Sequence, residues 1–113
     1  MDLKPGDRLE AKCSFHIGTE YDWKNEPLKE RWMVGHFDDG DRNQIDGYGK
    51  CIVIVDELLP STTGAYIAVY QRFYITPDGE ELSPRRRRRM CRLPSLKGLI
   101  SRRGLTKVQA GEG

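Results

Sequence analysis

A chain of 113 residues has room for one domain and one modest core, and it contains no apolar run near the ~18 residues that a membrane-spanning helix needs. Three widely spaced cysteines, Cys13, Cys51 and Cys91, exclude a secreted disulfide framework and point to reduced thiols in an intracellular, cytoplasmic protein, nuclear if the cell is eukaryotic. The net charge of +2 conceals a reversal: Met1 to Leu82 holds 9 Lys or Arg against 16 Asp or Glu, whereas Ser83 to Gly113 holds 10 against 1. The chain thus divides into an acidic, β-rich body, 1–82, and a basic segment, 83–113, whose charge calls for a polyanion or an acidic protein surface.

Asp7 to Phe15 alternates, with Leu9, Ala11, Cys13 and Phe15 on one side and Arg8, Glu10, Lys12 and Ser14 on the other, which predicts a strand with one wet face. The opening Lys4-Pro5-Gly6-Asp7-Arg8-Leu9-Glu10-Ala11-Lys12 resembles the entry strand of SH3-like and Tudor-type barrels. That resemblance implies a small barrel and nothing about ligands, because no aromatic cage can be assigned by position. His16 to Glu30 keeps no single period and contains Pro27, so it predicts a long loop; Arg31 to Phe37, with Trp32 and Val34, predicts a second strand. Asp38 to Gly49 is dense in turn formers.

The unbroken Cys51-Ile52-Val53-Ile54-Val55 predicts a strand covered on both faces at the centre of the sheet. Leu58 to Gly64 reads as a turn, and Ala65 to Thr76 as the longest strand, with Ala65, Ile67, Val69, Phe73 and Ile75 facing one way and Tyr66, Ala68, Tyr70, Arg72 and Tyr74 the other. Pro77-Asp78-Gly79 predicts a hairpin turn. Pro84 keeps the return arm out of the middle of a sheet, so the arginines that follow belong to an edge or to a departure from the body. Pro94-Ser95 predicts a helix start with Ser95 as N-cap, Leu96, Leu99 and Ile100 on one face and Gly104 as the stop, and Lys107 to Gly113 reads as a disordered end. The expected fold is mostly β, with α+β as the variant: a small antiparallel sheet or SH3-like barrel of four or five strands, with a short C-terminal helix and a basic tail.

Five consecutive guanidinium groups, Arg85, Arg86, Arg87, Arg88 and Arg89, cannot share one buried site, because each unpaired ion costs several kcal/mol to desolvate. They face water, carboxylates or phosphates, and the planar fork of Arg fits phosphate oxygens bidentately. Arg92, Lys97, Arg102 and Arg103 continue the same sign. Tyr66, Tyr70 and Tyr74 with Arg72 form either a platform on which unpaired bases stack or the floor beneath a helix around Leu93 to Ile100. Cys13 and His16 have a ligand-like spacing, with His36, Cys51 or Cys91 available to complete a set, but no second close pair exists, so the reading takes no metal and no cofactor. Asp39-Gly40-Asp41-Arg42-Asn43 has the start of a calcium loop, but Gln44 and Lys50 stand where its Gly and closing Glu belong. No phosphate loop, nucleophile elbow or carboxylate pair is present, so a non-enzymatic protein is expected. The expected function is a nucleic-acid module, RNA or DNA, or a ribonucleoprotein-binding one. The competing reading is a small adaptor or inhibitor, such as a phage-encoded one, that binds and regulates a larger protein or nucleoprotein machine, its acidic body imitating nucleic-acid charge while its basic tail grips a second surface.

Overall fold

The computed structural model of the protein describes residues 2–35 and 45–108. It is mostly β: one antiparallel sheet curls into a half-barrel and carries one short helix. The elements are β1 (Arg8–Tyr21), β2 (Pro27–Val34), β3 (Gly47–Leu59), β4 (Ile67–Ile75), β5 (Glu81–Leu82), β6 (Arg88–Arg92), α1 (Leu93–Arg103) and β7 (Thr106–Val108). The sheet runs β2-β1-β3-β4-β5, with β6 also on β4 and β7 on β1.

As expected, β3 is the central strand. It lies between β1 and β4, and Ile52 and Val53, on opposite faces, are both wholly buried. Gly49 is required there, since a Cβ would strike the Ile75 carbonyl and the Phe15 ring. The same strand extends to Leu59, into the segment expected to turn, and β4 is shorter than β1 or β3.

The expected loop over His16 to Glu30 is instead a hairpin. β1 continues to Tyr21 because Ile17, Thr19 and Tyr21 prolong its odd-numbered row, and β2 starts at Pro27. Asp22 makes the tip by accepting hydrogen bonds from the backbone N–H groups of Lys24 (2.9 Å) and Glu26 (3.0 Å), with Asn25 at φ 64°. The expected second strand therefore begins earlier, and Phe37 lies outside the described residues, as do His36 and the calcium-like stretch from Asp39 to Gln44.

On the concave face Leu9, Cys13, Phe15, Cys51, Val53, Val55, Ala68 and Tyr70 form one core with Leu96, Ile100 and Leu105. The charge boundary at Ser83 is thus not a boundary of the core. Val69 and Phe73, in the row opposite the tyrosines, are also buried, but on the opposite, convex face, where Phe73 pairs with Ile52; Ala11 and Ile67 are half-buried. The helix is capped by Arg92, not Ser95. Pro94 fits the first turn, where its missing N–H has no partner to lose, and so Ser95 falls inside the helix. Gly104, at φ 65°, ends it as expected.

The expected disordered end is corrected at Lys107 and Val108, which pair with Leu9 and Arg8 of β1. Lys107 Nζ also lies 3.1 Å from Asp7 Oδ2. Burial raises the Asp7 pKa, but the Lys4 N–H and the Lys107 ammonium outweigh it and hold the carboxyl below its ordinary 3.8. Glu10 is held below 4.5 in the same way, with Lys50 and Arg8 outweighing burial. A depressed carboxyl stabilises the fold above its unfolded pKa, and that contribution is lost as pH falls through the folded value. Urea midpoints are therefore expected to be level from pH 7 to 5 and to drop below about pH 4, less steeply in Lys107→Ala. An equally steep acid drop in that variant would remove Asp7 from the account.

Candidate nucleic-acid interface

The arginine run is split by the backbone. Ser83 to Arg87 leaves the edge of β4 and returns, so β5 and β6 are two pieces of one interrupted edge strand, and the Arg72 N–H donates to the Arg87 carbonyl at 2.9 Å where the chain rejoins. β6 then alternates, with Arg88, Met90 and Arg92 outward and Arg89 and Cys91 toward the core side. The expectation of an edge or a departure is met by both, in succession.

Two of the five guanidinium groups serve the body. Arg87 lies 4.0 Å over the Phe73 ring, donates from Nε to Gln71 Oε1 at 3.0 Å and pairs with Glu81. Its stem and face shield an aromatic ring that no helix covers. Arg88 reaches Glu57 at 3.2 Å and Asp56 at 3.9 Å. Arg87→Ala is expected to lower stability by about 1–2 kcal/mol, and Arg85→Ala to leave it unchanged; equal urea midpoints for the two variants would contradict the Phe73 cover.

Arg85, Arg86, Arg88 and Arg89 line a shallow concavity of about 610 Å³ with Tyr70 and Met90. Arg85, Arg86, Arg92, Lys97 and Arg102 are exposed, and Arg89 donates from Nε to the Arg86 carbonyl at 3.0 Å. Arg103 is half-buried, near Cys13 and Cys51. Met90, 64% exposed, lies between these cations, an apolar contact the sequence reading passed over.

The tyrosine row does not form an open platform. Tyr70 is buried in the core cluster that holds Leu96 and Ile100, and Tyr74 packs edge-on against Phe15 at 6.4 Å between centroids. Of the two alternatives the sequence left for this row, the floor beneath a helix describes Tyr70; Tyr74 packs on Phe15 instead, and Tyr66 remains half exposed. Arg72, the fourth member, is turned inward and donates to the Tyr74 hydroxyl at 2.9 Å.

Cys13 and His16 differ by three residues on one strand, which places them on opposite faces. Among the described residues no three His, Cys, Asp or Glu side chains gather closely enough to hold a metal ion. Burial, then the neighbouring Cys51, pushes the Cys13 thiol up to about 12, and burial also raises Cys51 and Cys91. Native protein at pH 8 is expected to protect Cys13 and Cys51 from a thiol reagent until it unfolds; modification of two thiols in folded protein would contradict this. Among the described residues no helix is long and apolar enough to cross a membrane. No protein-family model, curated protein or solved structure matches the chain, so the reading of this surface rests on its chemistry.

Proposed function

We propose that the protein is a non-catalytic nucleic-acid or ribonucleoprotein-binding module whose contact surface is the edge formed by the Ser83 to Arg87 excursion, β6 and the exposed side of α1. The observation that carries this reading is the cluster of Arg85, Arg86 and Arg89 around one concavity, with Arg92, Lys97 and Arg102 exposed beyond it. Such an array offers many donors to phosphate oxygens and few to base edges, so it favours phosphate contact over sequence readout. The inward turn of Tyr70 and Tyr74 removes most of the stacking surface that would favour unpaired bases, leaving Tyr66 and Met90 for contacts beside the cations.

The test is recovery of tagged protein from lysate with and without nuclease, alongside an Arg85/Arg86/Arg89/Arg92→Gln variant. Nuclease-sensitive recovery of nucleic acid that the variant loses supports the proposal. Recovery of a protein complex that survives nuclease, equally in both, would replace it with the adaptor reading.

A further inference from the structure

The open seam of the half-barrel is a second surface, unlike the first in charge. β2 and β5 are the two ends of the strand path, and the curl of the sheet leaves between them a cleft of about 520 Å³. Ile17, Trp32 and Leu82 give it apolar walls, and Glu30, Asp78 and Glu80 stand on its rim. Ile17 is 51% exposed, and Tyr21 and Leu28 farther along the hairpin are each 59% exposed. Of the other charges in the lining, Arg31 is paired with Glu20 and Glu81 with Arg87. Three carboxylates therefore stand against Lys29, and the cleft is acidic.

Among the described residues β2 is paired on its β1 side alone, so its outer edge presents backbone donors and acceptors. A second copy of β2 is a poor occupant. Symmetric antiparallel pairing centred on Lys29, Glu30 or Arg31 sets that charge against itself, and centring on Glu30 also opposes Lys29 to Arg31. The basic strand β6 of another copy is a poor match as well, since it offers five residues between the Ser83 to Arg87 excursion and α1, too few to run the eight-residue length of β2.

We propose that this seam is a docking groove for an extended segment of a protein partner that carries apolar and basic side chains on the same face and adds as a strand to the outer edge of β2. Main-chain bonds would supply affinity, an apolar side chain would seat on Ile17 and Trp32, and a Lys or Arg two residues away, on the same face of the added strand, would meet Glu30 with Asp78 and Glu80 across the cleft.

Trp23→Phe leaves Trp32 as the sole tryptophan and so as a reporter inside the cleft. The probes are two capped nonapeptides with Thr at every odd position, one carrying Val and Lys in turn at the even positions and the other Val and Glu, so that both kinds of side chain lie on one face. A saturable shift of Trp32 emission is expected with the Lys peptide and not the Glu peptide, and Glu30→Lys with Glu80→Lys should weaken it about tenfold or more. If the double variant does not melt cooperatively, Glu80→Lys alone carries the comparison, because the Glu80 side chain is exposed and its turn is held through its backbone groups. No saturable shift at millimolar peptide, an equal response to both peptides, or indifference to the charge reversal would overturn the proposal. A saturable shift of Trp32 emission by a single-stranded oligonucleotide alone, in the Arg85/Arg86/Arg89/Arg92→Gln background, would overturn the proposal and assign the groove to nucleic acid.

Discussion

Leu96→Ala is expected to destabilise the protein by about 2–5 kcal/mol, a large part of the 5–15 kcal/mol typical of a domain. Leu96 is wholly buried, and with Ile100 and Leu105 it brings the basic segment into the same core as Leu9, Phe15 and Val53. The cavity opened by the change is lined by residues of a sheet that is hydrogen bonded on both sides of β3 and cannot collapse freely around it. Truncation after Leu82 goes further, removing β6, α1 and β7 and baring Ala68 and Tyr70. The shortened chain is expected to lack a cooperative urea transition, and so cannot serve as a folded control without arginines. A cooperative transition near the wild-type midpoint, in either protein, would show that the helix adds little to the core.

The second large effect is on ionic-strength dependence. With Arg87 and Arg88 engaged by the body, six cations remain at the proposed interface: Arg85, Arg86, Arg89, Arg92, Lys97 and Arg102. Six phosphates neutralised correspond to a log–log salt slope of about −4 on single strands and about −5 on duplex DNA. Affinity for a single strand should thus fall about 300-fold between 50 and 200 mM salt. Changing Arg85, Arg86, Arg89 and Arg92 to Gln leaves two of the six, and the slope should flatten to about −1.5. Polarisation of a labelled oligonucleotide at four salt concentrations measures both slopes. An unchanged slope in a variant that melts like the wild type would place the phosphates elsewhere.

The sequence carried the strands wherever one period dominated. The apolar run from Cys51 to Val55 and the alternation from Asp7 to Phe15 each point to one structure, and both are strands. The hairpin beyond Phe15 was legible only in part. Ile17, Thr19 and Tyr21 keep the odd-numbered row, but Gly18 and the acidic neighbours obscure it, and the tip depends on a side-chain bond from Asp22 that periodicity does not express. Pairing across the sheet was hidden altogether. Nothing in Arg87 itself distinguishes it from Arg86; what separates them is that the chain rejoins β4 there and sets one guanidinium over Phe73. The choice between platform and floor for Tyr70 likewise turned on which face of β4 the helix covers, a long-range fact that local alternation leaves open.

The pairing of β1 with β7 has a kinetic consequence. Arg8 and Val108 are partners 100 residues apart in the chain. The β1–β2 and β3–β4 hairpins join near neighbours and close short loops, whereas the β7 contact rewards the chain only after nearly its whole length has been ordered. Folding is therefore expected in the millisecond-to-second range of non-local β topologies. Under native conditions the three-residue β7, exposed along its length, should be the first strand to open, and its amides should exchange with solvent well before those of β3.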